Sequence, residues 1–427
     1  MFALIDCNNF YASCERKRNP SLIDKPIVVA SGLQGAVIAR SNEAKKLGIK
    51  TGDPIFKIKD LIEKNHVAVI PTDIPYYVKI SRSVMKCLNE FSPVVEIYSI
   101  DEAFVTISNY EKDYETFSKK IIDKIWDQTG IPVSIGIAKT KVLCKIASKL
   151  AKKGYKFFVL DKDILGDVEF SSILKNFPIE DIWGVGYKLN LKLQVNYIYN
   201  AEDLRQMDLK LAQKIGNINL VRIVQELNEI SVIEINEKFE ARKMILFSRS
   251  FTTPIFEYEV LESKLAKFVS RASEKLRSQN SLCGKISVYL STSRFEKAEK
   301  YSMYEELKII PTDFTPELIK HCKVLLQRAY KPNTRFKKMG VVLTNFTDRS
   351  FDQVELFDNE QTLKLKNKKS NMMKAVDKIN QKYGKNIVKS SAEVENYKSN
   401  EANWTSQDPV NSYGDDNATI FDAKRFI

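Results

Sequence analysis

Short apolar strands that keep alternating with amphipathic helices predict an α+β protein of several domains. The mixture occurs twice, before about residue 165 and again after about residue 243, with a helical stretch between. A length of 427 residues allows about two to four domains and at least one sizeable core.

Phe2 to Ile5 is a short apolar run ending at Asp6, which reads as a buried strand with an acid at its C-terminal end. "NFYASCERK" follows as a helix. "PIVVAS" and "AVIAR" are two further strands, and "SNEAKKLGI" is helical. Pro71 and Pro75 bracket a loop, after which "YYVKISRSVMKCLNEF" keeps helical spacing up to Pro93. "VVEIYSI" and "AFVTI" form a hairpin with Asp101 and Glu102 at or near its bend. A long amphipathic helix ("YETFSKKIIDKIWDQTG"), a strand ("PVSIGIA") and a helix from about Thr140 to Lys153 complete this first region. Short helices and the turn "WGVGYK" occupy about 170–230, and 231–242 reads as a linker. The order strand, helix, two strands, helix, strand then runs from "KMILFSRSF" to "KKMGVVLTNF", the split βαβ arrangement of a second small sandwich. Beyond Asp358 the chain turns rich in Lys, Asn and Ser. One amphipathic helix is expected there, with Met372, Val376, Ile379 and Tyr383 at helical spacing, and the last forty or so residues read as poorly ordered.

The 67 Lys and Arg outweigh 54 Asp and Glu, for a formal charge of +13. Such a balance suits a polyanion, nucleic acid first, although it also aids solubility. "MFALID" reaches an acid by residue 6 and does not read as a signal peptide, and no apolar run approaches membrane-spanning length. The cysteines, spread from Cys7 to Cys322 without a C-x-x-C, suit neither a disulfide framework nor a zinc ribbon. The expectation is a soluble, reduced, cytoplasmic protein. With only His66 and His321 present, a histidine triad or histidine zinc site is disfavoured.

In "VVEIYSIDEAFVTI", Asp101 and Glu102 stand side by side among Val, Ile, Tyr and Phe. One unpaired buried carboxylate is costly and two are worse, so positive charge must meet them. Adjacent strand residues point to opposite faces, so the two can converge only where the hairpin bends. Asp6 ends a strand that can lie beside that hairpin. Three carboxylates at strand ends offer hard oxygen ligands suited to Mg²⁺, above all where substrate phosphates complete the shell. Two such ions stabilise the attacking and the leaving oxygen of an in-line phosphoryl transfer. The residues alone leave a second reading open, in which the acids cap turns and face water.

"IDCNNFYASCE", "YSIDEAF" and "SIGIAKTKVLCKIAS", in this order, resemble the conserved stretches of Y-family translesion DNA polymerases. "MFALID", "VIAR", "LGIKTGDPIFK", "SPVVEIYSIDEAF" and "SRSF" are similar to the bacterial polymerase V branch of that family. The likeness runs from residue 1 to about 350. It implies a right-hand polymerase with a palm (1–20 and 71–165), small fingers (21–70), a helical thumb (166–232), a βαββαβ little finger (243–348) and a C-terminal tail for clamp and partner binding (349–427). It further implies two Mg²⁺ ions held by the catalytic carboxylates Asp6, Asp101 and Glu102, with the main-chain carbonyl of Cys7 as a further ligand. The implied partners are primed DNA template, deoxynucleoside triphosphates, a sliding clamp, a processed dimer of UmuD-type subunits and RecA. The implied setting is low-fidelity synthesis in a damage-induced (SOS) response.

Tyr11, taken alone, is a buried tyrosine at a helix start. The resemblance makes it the steric gate that excludes a 2′-hydroxyl. Lys141, Lys145 and Lys149 recur at i, i+4 with Lys152 and Lys153 beyond them, a pattern usual on a solvated face. The resemblance makes Lys152 a triphosphate ligand and places Lys45 where many members carry arginine, with loss of the bidentate fork. Asn42 stands where the polymerase IV branch has a tyrosine, which leaves its role unassigned. Gly184, Gly186 and Lys188 of "WGVGYK" form either an ordinary tight turn or a site whose backbone amides bind DNA phosphates. Arg249 and Arg294, with Arg242, Lys243, Lys337 and Lys338, are expected to track the duplex backbone.

Leu356 and Phe357 in "QVELF" follow the last strand and read as an exposed peptide that docks in a partner's apolar pocket. With Gln353 they are similar to the Gln-x-x-Leu-Phe motif by which bacterial polymerases bind the sliding clamp. The alternative is that they fold back onto the little finger. A nucleotidyl cyclase or two-metal nuclease could use the same three acids, but the basic thumb and little finger disfavour the first and Tyr11 the second. A catalytically silent DNA-binding scaffold is disfavoured by the intact acids.

Overall fold

The computed structural model describes residues 1–32, 35–108, 113–235, 241–293, 300–349, 360–384 and 387–394. It forms two compact units that divide between residues 238 and 239. The first opens with β1 (Phe2–Cys7) and α1 (Phe10–Arg18), then β2 (Ile27–Ala30), β3 (Val37–Arg40), α2 (Asn42–Lys46), α3 (Lys59–Lys64) and β4 (Ala68–Pro71). Next come α4 (Ile74–Leu88), the hairpin β5 (Val95–Ile97) and β6 (Glu102–Thr106), α5 (Tyr114–Thr129), β7 (Val133–Ala138), α6 (Lys141–Leu150) and β8 (Phe157–Leu160).

Five strands form one sheet in the order β5-β6-β1-β7-β8, with only β7 and β8 parallel. Helices cover both faces, which is why β1 and β7 read as nearly continuous apolar runs. Ala3, Ile5 and Cys7 enter the core with α1, α4 and α5, whereas Leu4 enters the core with α6. Gly136 sits opposite Leu4 on the α6 side. A Cβ there would stand 2.2 Å from the Ser148 nitrogen and 2.5 Å from the Cys144 carbonyl oxygen. The missing side chain is what lets α6 lie directly on the sheet.

A second sheet, β3-β2-β4, contains a strand the sequence reading lacks. Four residues ending in a proline are too short for periodicity to distinguish, and β4 is fixed by its parallel register with β2. The loop expected between Pro71 and Pro75 is also shorter. Asp73 caps α4 by accepting from the Tyr76 N–H at 3.1 Å, and Pro75 fits the first turn because its missing N–H would be unpaired there. The helix expected over 140–153 stops at Leu150, and 151–155 forms a wider turn with Gly154 at φ +128°.

Five helices follow: α7 (Lys162–Leu165), α8 (Asp167–Lys175), α9 (Tyr187–Val195), α10 (Ala201–Arg205) and α11 (Leu209–Leu227). Fully buried Glu226 of α11 accepts from the Val142 N–H at the start of α6 and from the Val232 and Ile233 N–H groups. The Thr140 hydroxyl donates to the Glu226 carbonyl at 2.8 Å. These bonds tie the helical region to the beginning of α6.

The second unit has the expected order: β9 (Met244–Ile255), α12 (Tyr258–Ser278), β10 (Ser281–Ser291), β11 (Ser302–Thr312), α13 (Thr315–Ala329) and β12 (Phe336–Asp348). Strand β12 is inserted between β9 and β10 in the sheet β11-β10-β12-β9, so β9-α12-β10 is a split βαβ unit. Helices α12 and α13 share its core. Part of the region read as a tail also belongs here. In α14 (Glu360–Tyr383), Asp377 accepts a bidentate pair from Arg277 of α12, and Met373 is buried. Glu393 accepts from the Ser270 hydroxyl at 2.7 Å. The expected apolar stripe is not the buried one, since Met372, Ile379 and Tyr383 are exposed while Met373 and Asp377 face inward. Of the last forty residues, 395–427 lie outside the described residues.

All six cysteines are free and buried. Among the described residues no helix is long and apolar enough to cross a membrane. Gly136→Ala is expected to push α6 from the sheet and lower stability by about 1–3 kcal/mol, the usual cost of overpacking, read as a lower unfolding midpoint in urea.

Candidate active site

Strand register brings two of the three acids together. Asp6 of β1 pairs directly with Glu102 of β6, as Leu4 does with Phe104. Residues directly opposite share a face, so both carboxylates lie on the side that α6 covers. Asp101 sits in the bend before β6, where its carbonyl accepts from the Cys7 N–H at 2.8 Å and its carboxylate from the Ser99 hydroxyl. The Tyr98 and Ser99 N–H groups both donate to the Glu102 carbonyl at 3.1 Å, which tightens the bend.

Lysines meet the charge. Lys145 of α6 donates to both Glu102 carboxylate oxygens at 2.7 Å, and Lys152 reaches Asp6 Oδ2 at 2.6 Å. Burial raises the Asp6 and Glu102 carboxyls above their usual range, and these lysines oppose the rise. Lys141 is fully buried on Glu96 and the Glu234 carbonyl, and Lys149 pairs with Asp181. The first two lysines of the stripe are therefore drawn into the protein, whereas Lys149 and Lys152 stay exposed while pairing with acids. The stripe's spacing was visible in the sequence, but the acids it meets come from other elements.

Cys7 turns its side chain into the core, and burial drives its thiol upward, so only its main chain is available as a hard ligand. Tyr11 lies in the first turn of α1. Its ring stacks on Tyr77 at 4.4 Å between centroids, and the Tyr77 hydroxyl donates to buried Glu15 at 2.7 Å. Burial first, then Asp101, pushes the Tyr11 hydroxyl up to about 12. The ring is backed firmly and faces the acidic bend.

Lys45 donates to the Asn9 and Asn42 side-chain carbonyls, which gives Asn42 a place beside the cation. Burial lowers the Lys45 ammonium, followed by repulsion from Arg40 and Lys152, while Asp6 opposes. Three cations thus share one field next to Asp6. Arg40 was absent from the sequence reading. Its Nη1 donates to the Thr51 hydroxyl, while its Nε is buried and without a hydrogen-bond partner among the described residues. The signal available was its position in "VIARSNEAKK", five residues before the lysine that replaces an arginine.

Gly184 adopts φ +94°, and a Cβ there would meet Ile223 Cδ1 at 2.7 Å. Gly186 precedes α9 with open space around it, and Gly184, Gly186 and Lys188 are exposed, while the buried Val185 gives its N–H to the Ile182 carbonyl at 3.0 Å. In the second unit, the β9–β12 register pairs Arg249 with Met339, putting it on the helix-covered side with its guanidinium 4.8 Å from the Phe247 ring centroid. Lys338 and Lys285 lie on the open face instead, and Lys337 donates to the Thr252 carbonyl. Arg294, Gln353, Leu356 and Phe357 lie outside the described residues.

Residues 5–149 match the impB/mucB/samB family and residues 242–356 match the family's C-terminal domain. The chain belongs to this family. It is 35% identical to Protein UmuC of Salmonella typhimurium across 91% of this chain and 92% of that one. Protein SamB of the same organism is also 35% identical, across 89% and 90%. DNA polymerase IV of Clostridium kluyveri is 27% identical across 92% and 98%. The fold resembles a Y-family DNA polymerase chimera of Dbh and Dpo4, with a TM-score of 0.68 at 23% identity over 82% of this chain and all of that one. The family's members are Y-family translesion DNA polymerases that act in mutagenesis, and this chain is such an enzyme. Its architecture is the right-hand polymerase with an added little finger.

The family uses divalent metal ions. Among the described residues no three His, Cys, Asp or Glu side chains are gathered as a finished metal cage. The donor set nevertheless fits a hard cation: buried carboxylates raised by burial, each held by a lysine that supplies the charge a cation would bring. Tyr11→Ala is expected to open the sugar pocket. Steric discrimination in a pocket is worth about 1–3 kcal/mol, so preference for deoxy- over ribonucleotides should fall about tenfold or more in single-nucleotide incorporation assays.

Proposed function

We propose that Asp6, Asp101 and Glu102, with the Cys7 carbonyl, hold two Mg²⁺ ions for template-directed extension of a DNA primer. The supporting observation is the direct pairing of Asp6 with Glu102 beside the Asp101 bend. When bound, the ions supply positive charge to the triphosphate and to the attacking and leaving oxygens. In the reaction the primer 3′-oxygen bonds to the α-phosphorus of the nucleotide and the bond to the departing pyrophosphate breaks. The chain's own residues position these groups. Arg40, Lys45 and Lys152 grip the triphosphate, the Arg40 guanidinium adding the planar donors that a lysine at 45 lacks. Tyr11, backed by Tyr77, closes the space that a 2′-hydroxyl would need. Positioning and charge neutralisation suffice, and no histidine or cysteine is required.

Residues 1–20 and 71–165 form the palm in this reading, 21–70 the fingers, 166–232 the thumb and 243–348 the little finger. The 184–188 turn and Lys188 bind DNA phosphates, and the little finger follows the duplex with Lys285 and Lys338 on its open face, Arg249 at its edge strand and Arg294. A solved Dbh polymerase described as an insertion ternary complex, 22% identical, supports primed DNA and a deoxynucleotide as partners. Likeness to UmuC supports a processed dimer of UmuD-type subunits, RecA and an SOS setting in the cytoplasm.

Primer extension with Mg²⁺ and four deoxynucleotides tests the site. Asp101→Asn should reduce incorporation by about 10²-fold or more, the scale of losing one preorganised electrostatic group, while DNA binding in gel shift stays largely intact. Near wild-type extension by that variant sinks the assignment. Gln353, Leu356 and Phe357 are proposed to tether the enzyme to the sliding clamp, which raises its effective concentration at the primer end. Replacing Leu356 and Phe357 with alanine should weaken clamp binding by about tenfold or more, as for loss of apolar anchors, and spare extension on short clamp-free templates. Surface plasmon resonance against the clamp measures it.

A further inference from the structure

Lys145, which holds Glu102, is itself held by rings. Its ammonium lies 4.1 Å from the Tyr98 ring centroid, 5.8 Å from Phe104 and 5.9 Å from Trp183. Tyr98 meets Phe104 and Trp183 edge to face, at 5.7 and 5.6 Å. The Trp183 indole N–H donates to the Tyr98 hydroxyl at 2.7 Å. Trp183 immediately precedes the turn at Gly184, so the turn proposed to take phosphates and a carboxylate of the proposed metal site are joined by three consecutive contacts: Trp183 to Tyr98, Tyr98 to Lys145 and Lys145 to Glu102. All three are side-chain contacts within the first unit.

We propose that Trp183 and Tyr98 are positioning residues that couple the 184–188 turn to Glu102 through Lys145. The physical reason is competition. Lys145 gives both its carboxylate bonds to Glu102, and a divalent ion arriving there must displace at least one of them. The aromatic faces then decide where the ammonium goes, because each keeps a partial partner for it as the ion pair loosens. Tyr98 holds the nearest face, and its ring orientation depends on the Trp183 hydrogen bond. Seating of DNA phosphates on the turn acts on Trp183 through the adjoining backbone, and a cation at Glu102 acts on it from the other side. Such coupling is reciprocal by linkage.

The inference rests on the proposed roles of the carboxylates and the turn, and its test separates the two. Mn²⁺ affinity is measured by electron paramagnetic resonance with and without primed DNA, no nucleotide being present. DNA phosphates near the site alter that affinity directly in any variant, so the relay is read as the difference between wild type and Tyr98→Phe, which keeps the ring and loses the hydrogen-bond acceptor. The DNA-induced change in Mn²⁺ affinity should shrink about fivefold in Tyr98→Phe, the lower end of typical coupling factors. An equal change in both proteins overturns the relay. A wild type that binds no Mn²⁺, or no primed DNA, overturns the site reading beneath it. A second arm keeps Tyr98. With Trp126→Phe and Trp404→Phe, Trp183 is the only one of three tryptophans left. Its emission should respond to Mg²⁺, and Lys145→Met should abolish that response. Emission indifferent to Mg²⁺, or a response that survives Lys145→Met, overturns the proposal even where Tyr98→Phe fails to fold.

Discussion

The site depends on one electrostatic constraint: carboxylates on the inner face of a packed sheet need cations within reach. Register puts Asp6 and Glu102 on the face that α6 covers, and α6 with the turn that follows it carries the answering lysines, Lys145 and Lys152. That answer requires close approach of helix to sheet, which the absent side chain at Gly136 permits. It also requires the helix to start at a fixed point, which buried Glu226 and Thr140 set from α11. Backbone packing and site electrostatics are thus one problem. A bulkier residue at 136 would displace the lysines as well as the helix.

A second constraint acts from the other side. Arg40 and Lys152 both repel Lys45, and Asp6 offsets part of that burden. Cations gathered this closely are stable together when an anion lies between them, and a triphosphate is the anion a polymerase brings. The overall charge of +13 suits a polyanionic partner at large, whereas this cluster suits one at a point.

Much of this was legible in the sequence because it is local. The apolar run before Asp6, the hairpin around Asp101 and Glu102 and the βαββαβ order all follow from periodicity over a few residues. What was illegible is long-range. Nothing in "KTKVLCKIASKLAKK" says that Lys141, Lys145, Lys149 and Lys152 would find Glu96, Glu102, Asp181 and Asp6 on separate elements. Strand β4 is too short to announce itself and takes its identity from β2. In α14 the apolar spacing pointed to the wrong face, because the face turned inward is the one that carries Met373 and Asp377, whose partner Arg277 lies on a distant element.

The two lysines at the carboxylates differ in kind, and the difference bears on how such a site is charged. Lys145 has a side chain 17% exposed, lies within regular helix and is enclosed by aromatic rings. Lys152 is 41% exposed and sits beyond the end of α6, in the wide turn that Gly154 closes. A lysine on a flexible stem in irregular backbone can leave Asp6 and follow a phosphate at little cost. One boxed by three rings cannot travel far, and can only loosen its grip on Glu102. On the proposed reading the two acids are freed by different routes: Asp6 when a triphosphate draws Lys152 away, and Glu102 when a cation competes with Lys145 in place. In the proposed reaction the nucleotide clears one carboxylate and the metal clears the other, so the site is completed only when both have arrived.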